Sequence, residues 1–167
     1  MSSLEQIRAL YAYNEWANDH LVEVSARVPA DELAAPRGAS FESILTSLAH
    51  IAAAQINWLE RWTTGRNTMQ TTDLQKMPDL GTVRASFLAS HTGLGEFIGA
   101  LDEERLAAPL AFRDSSGTGF NRPLWQLMVH VTNHGTYHRG EIALMLSGIG
   151  HSPGDLDFIY WTYEHLP

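Results

Sequence analysis

The 167-residue chain contains no cysteine. Disulfides, thiolate zinc sites and a cysteine nucleophile are excluded, and any thiol chemistry needs a thiol from outside the chain. Positive charge is scarce as well. Eleven Lys and Arg stand against nineteen Asp and Glu, a net charge of −8 with no basic stripe, so nothing supplies an electrostatic reason to hold a nucleic-acid backbone. No phosphate-cradling glycine loop opens a helix. No apolar run approaches the roughly 18 residues that suggest a membrane span, and "MSSLEQIRALYAYNEWANDH" has no basic leader ahead of an apolar stretch. The expectation is a cytoplasmic protein with no membrane partner. At 44% hydrophobic the chain can bury a core, and without repeats, low-complexity tracts or a linker it reads as a single domain over 1–167.

Periodicity is helical almost throughout. Leu4, Ile7, Leu10, Tyr11, Asn14, Ala17, Leu21 and Val24 recur at three- and four-residue spacing, predicting a helix over 4–28 that stops before Pro29. A second helix should open at Ser40 as N-cap and run to Gly65, with a loop over 66–80. The third, over 81–101, contains Gly93, Gly95 and Gly99, each costing about 1 kcal/mol against alanine unless it marks close packing. Residues 107–122 predict a loop or small hairpin, after which Pro123 opens a fourth helix to Ser147, ended by Gly148. Ser152, Pro153 and Asp155 look like the N-cap, N1 and N3 of a short closing helix. The fold class is all-α: an antiparallel four-helix bundle with a short C-terminal helix and a loop or small hairpin before the fourth long helix. Trp16, Trp58, Trp62, Trp125 and Trp161 read as core or interface anchors.

The chemistry concentrates in "MVHVTNHGTYHRGE", residues 128–141, where His130, His134 and His138 follow one another at four-residue steps. Each step displaces the next imidazole by only about 40° around the axis. On the helical wheel His138 falls inside the apolar stripe of Leu124, Leu127, Val131, Ile142 and Met145, His134 on its edge, and His130 towards the polar side. Two desolvated imidazoles one turn apart both need partners, and one metal ion would satisfy both; a hydrogen-bonded core histidine or a solvated strip is the plainer alternative. His50 is the candidate third ligand. It lies on a face of small or polar residues with Ser43, Ala53, Ala54 and Asn57, which either meets water or lines a cavity against the fourth helix. Glu141, about 20° from His134 around the axis and two turns on, could act as general base, support a ligand, or be an ordinary helix carboxylate. Asn133 and Tyr137 lie about 100° from their ligand neighbours, out of direct reach of a metal.

"YNEWAND", "LAHIAAAQINWLERW", "PLWQLMVHVTNHGTYHRGEIALML" and "GHSPGDLDFIYW" together resemble the DinB-like damage-inducible protein family over nearly the whole chain, with "NHGTYHRGE" the most specific part. The resemblance implies a bundle, often a homodimer, holding a divalent ion such as zinc or nickel on His50, His134 and His138, with His130 outside the ligand set. The family is similar to mycothiol- and bacillithiol-dependent enzymes. It implies a thiol-dependent transferase or metal-assisted hydrolase acting on a small molecule, with an external low-molecular-weight thiol as cosubstrate; the alternative is a non-catalytic metal-binding stress-response protein.

Overall fold

A computed structural model describes residues 2–65, 76–114 and 116–166. Most of the expected 66–80 loop lies outside the described residues. Among them the elements are α1 (Ser3–Ser25), α2 (Ala30–Ala34), α3 (Ile44–Thr64), α4 (Leu80–Gly99), α5 (Glu103–Ala107), β1 (Pro109–Arg113), β2 (Gly119–Pro123), α6 (Leu124–Gly148) and α7 (Phe158–His165). The expected hairpin is β1 paired antiparallel with β2, Pro109 opposite Pro123.

The four long helices form the bundle. α1 packs on α4 and α6, and α3 packs on the same two. Contacts fix their directions. Asn18 meets His91 and Glu23 meets Arg84, so α1 and α4 run antiparallel; Trp58 faces His130 and His50 faces His138, so α3 and α6 do too. Tyr11 bonds the Met128 carbonyl while Asn14 bonds Arg139, and Gln55 meets Ser90 while Trp62 meets Phe97, so α1/α6 and α3/α4 run parallel. The antiparallel relation therefore holds across two interfaces, and the consecutive long helices α3 and α4 run parallel with the long stretch 65–79 between them.

Boundaries differ from the sequence expectation where a side chain chose another partner. α3 is capped by Ser43, whose hydroxyl accepts from the Thr46 N–H, not by Ser40, which is engaged by Glu141. α1 ends at Ser25, three residues short of Val28. Ser152 does not cap the closing helix: Gly154 takes φ +73°, Tyr13 donates to the Leu156 carbonyl, and α7 starts only at Phe158. Of the three glycines in α4, Gly93 marks close packing, since a Cβ there would sit 2.6 Å from Leu59 Cδ2.

Of three apolar clusters among the described residues, the smallest joins Tyr13 and Ala17 of α1 to Trp161 of α7, and the two larger lie towards opposite ends of the bundle axis. One apolar cluster joins the C-terminal half of α1, the N-terminal parts of α3 and α4 and the end of α6; the other joins Leu4, Ile7, Trp62, Leu94, Leu124 and Val131 at the opposite end. Each fully buried Leu or Ile contributes about 1.5–3 kcal/mol of transfer free energy. Between the clusters every long helix turns polar inside: Asn14 and Asn18, His50 and Gln55, Ser90 and His91, Thr132, His138 and Arg139 are all buried. This polar belt positions the candidate site.

Candidate metal centre

On the α3/α6 side of the belt His50, His134 and His138 come together, each offering a ring nitrogen within 4.8 Å of the other two. Their ring centroids form a near-equilateral triangle with sides of 4.9, 4.7 and 4.6 Å. His50 and His138 are buried and His134 half-buried. The small face of α3 is thus turned inward against α6, not out to water. His130 stands apart: it is exposed, with its ring 5.9 Å from His134 and 5.4 Å from Trp58.

Protonation follows from the partners. Nε2 of His50 and Nε2 of His134 face each other at 3.0 Å, a separation at which both cannot carry hydrogen. It is a few tenths of an ångström under the roughly 3.3–3.4 Å between two imidazole nitrogens that share one tetrahedral ion at about 2.0–2.1 Å. Burial, reinforced by the neighbouring imidazoles, pushes His50 down to about 3, with Glu141 opposing weakly, and His134 down to about 4. Both rings are therefore neutral near pH 7, the form that ligates a metal. His138 Nδ1 lies 2.8 Å from Glu141 Oε2 and donates to it, which leaves Nε2 of the neutral ring with its lone pair free. A nitrogen-only donor set converging from two helices has the chemistry to hold a divalent transition metal ion.

Glu141 is held as well as holding. Its Oε1 accepts from the Ser40 hydroxyl at 2.6 Å and from the Ser40 N–H at 3.2 Å. Burial alone would raise its carboxyl, but the hydrogen bonds from Ser40 and His138 outweigh it and keep the group below its ordinary value, ionised. This clasp fixes the turn ahead of α3, where Glu42 takes φ +62° and Phe41 stacks on His50 with ring centroids 3.7 Å apart and meets His138 in a T-shaped contact with centroids 5.3 Å apart. Tyr137, though turned from the centre, meets His138 edge-on at 4.9 Å. The sequence offers Ser40 as a helix cap and Phe41 as the first residue of the apolar face of the second helix, and neither reading joins them to Glu141 or His50.

The opposite, α1/α4 side carries a second compact group: exposed Glu15 and Asp19 with buried His91, again within 4.8 Å. Here Nε2 of the ring is engaged. Arg139 donates to Asn14 Oδ1 at 2.7 Å and to Asn18 Oδ1 at 2.9 Å, which turns the Asn18 amide nitrogen towards His91 Nε2 at 3.5 Å. Nε2 must then be the acceptor, and the ring hydrogen sits on Nδ1, 3.7 Å from Asp19 Oδ1. Burial pushes His91 down, against the pull of Asp19 and Glu15. The imidazole is tethered through Nε2, unlike the three that converge on the other side of the belt. Arg139, 2% exposed and without a carboxylate partner among the described residues, also donates to Thr136 and lies over the Tyr13 ring. Gly135 makes room for it, since a Cβ there would fall 2.8 Å from Arg139 Nη1 and 3.0 Å from Asn14 Oδ1.

The stretch "GHSPG", Gly150–Gly154, has the Gly-x-Ser-x-Gly letters of a hydrolase nucleophile elbow. It follows a helix instead of a strand, and the Ser152 hydroxyl accepts from the Gly154 N–H at 3.3 Å. The strand–turn–helix context of an elbow is missing.

Among the described residues no helix is long and apolar enough to cross a membrane. The family model of the DinB family matches residues 1–165. The chain is also similar to Protein DinB of Bacillus subtilis (strain 168), 26% identical over 161 residues that cover 89% of each chain.

Proposed function

Because the chain belongs to the DinB family, we propose that it is a divalent-metal-dependent enzyme with His50, His134 and His138 as ligands, acting on a small molecule as a thiol-dependent transferase or, failing that, a metal-assisted hydrolase. The observation that carries this reading is the pair of facing Nε2 atoms beside a His138 whose Nε2 is freed by Glu141. His50, His134 and His138 would hold the ion, which would supply a Lewis acid able to lower the pKa of a bound water or an incoming thiol. The thiol comes from a small-molecule cosubstrate, since the chain has none. Glu141 is a positioning residue: its oxygens accept from Ser40 and His138, which keeps the His138 hydrogen on Nδ1. Phe41 covers one face of His50 and excludes water from it. The protein works as a single cytoplasmic domain, as a homodimer, without nucleic acid. A non-catalytic metal-binding stress-response protein is the second reading, favoured by the same ligand set without need of a substrate.

The test is turnover by metal-reconstituted protein offered small thiols with electrophiles, and separately esters without thiol. Metal-dependent thiol consumption lost in His138→Ala supports the transferase, and thiol-independent ester cleavage the hydrolase. Stoichiometric metal with no turnover on either panel would leave the metal-binding reading.

A further inference from the structure

We infer that the cleft between the C-terminal turn of α3 and the β1–β2 hairpin binds the carboxylate of an aromatic or similarly planar small molecule, with Arg61 and Arg113 holding the anion. The cleft encloses about 630 Å³ and is lined by Arg61, Phe112, Arg113, Phe120 and Asn121. Arg61 is the unexplained group. It is 9% exposed, its Nε is enclosed without an acceptor, and its guanidinium donates to no carboxylate among the described residues. A cation at a helix C-terminus normally meets the dipole from solvent, whereas this one has been taken out of water. Its contacts are the Trp58 face, 4.5 Å away, and the field of Asp114, whose Oδ1 already accepts from Ser116 and Thr118 in the hairpin turn. Burial accordingly lowers the Arg61 pKa, with Asp114 opposing. Arg113 adds a second cation from β1, its Nη1 tied to the Gly117 carbonyl.

The walls supply the planar preference. Phe112 and Phe120 stack at 5.5 Å, and Phe112 meets Trp58 edge-on at 5.3 Å. Trp58 in turn faces His130, which faces His134, so an aromatic wall runs unbroken from the cleft to the three-histidine centre. The cleft beside Glu141 lacks this charge, because its cation, Arg37, is paired with Glu32. The inference rests on the metal-centre reading only for the fate of the ligand's other end: the carboxylate is gripped at Arg61 while the reacting end lies towards the histidines.

The probe is benzoate, titrated by calorimetry into the full chain, metal-loaded and metal-stripped, with neutral benzamide and inorganic phosphate as controls. Saturable one-to-one benzoate binding is expected in both forms, with benzamide and phosphate each at least about tenfold weaker. Arg61→Gln should weaken benzoate by about tenfold or more, and Arg113→Gln, at an exposed position that does not endanger folding, by about threefold. Benzoate binding that needs the metal and vanishes in His134→Ala/His138→Ala would place the carboxylate on the metal and overturn the inference. So would phosphate or benzamide binding as well as benzoate, or affinity unchanged in Arg113→Gln. Failure of the metal reading leaves the metal-stripped titration intact, so the two are told apart.

Discussion

Two sides of one polar belt carry histidine clusters of equal compactness, both with candidate ligand atoms within 4.8 Å. On the α3/α6 side the nitrogens point at one another: His50 and His134 face across 3.0 Å, and Glu141 takes the His138 hydrogen onto the far nitrogen. On the α1/α4 side Asn18, turned by Arg139, occupies one nitrogen of His91, and Asp19 stands off the other. Distance does not separate a metal site from a tethered imidazole. The hydrogen-bond partner of the second ring nitrogen does, because it decides where the lone pair points.

Acid should separate the two sides most strongly in metal-stripped protein. In the folded chain His50 and His134 stay neutral down to about 3 and 4, whereas in the unfolded chain they titrate near their ordinary 6.5. The unfolded state binds more protons below 6.5, so stability is present above that pH and lost as pH falls towards 4 and 3. A thermal-melting series should show the midpoint falling over that window. His134→Gln should flatten the fall more than His91→Gln.

Glu141→Gln probes the clasp. Losing the charged acceptor on His138 Nδ1 should weaken zinc affinity by about 10- to 100-fold in a competition titration with a chromogenic chelator, whereas Asp19→Asn should leave it unchanged. Gly135→Ala crowds Arg139 and Asn14 from within the belt. Urea unfolding should report a loss of about 1–3 kcal/mol with zinc stoichiometry retained. The smallest effect is expected at exposed Asp19, where Asn should shift stability by under about 0.5 kcal/mol.

Much of this was legible in the sequence because it is periodic. The stripe through Leu124, Val131, His138 and Ile142 ranked the three histidines of α6 correctly, with His138 buried, His134 half-buried and His130 exposed. The same wheel left His50 ambiguous, since a face of Ala53, Ala54 and Asn57 looks alike whether it meets water or another helix; contact with α6 resolves it. Helix ends were less legible. Ser40 and Ser43 are both sound caps by residue type, and what separates them is a tertiary bond from Ser40 to Glu141, 101 positions away. Helix direction was hidden for the same reason: parallel neighbours arise from long connections, whose course no local pattern states. The buried Arg139 network has no local signal, because "HRGE" has the letters of an exposed charged turn of helix and only Asn14 and Asn18 on α1 show where the guanidinium goes.

The central claim is that one side of the belt holds metal and the other does not. Bound metal per chain, measured by elemental mass spectrometry on untagged protein, compares the wild type with His134→Ala/His138→Ala and with His91→Ala. About one ion per chain is expected in the wild type and in His91→Ala, and almost none in the double variant. Metal kept by the double variant but lost from His91→Ala, or a wild type empty even after reconstitution, would contradict it.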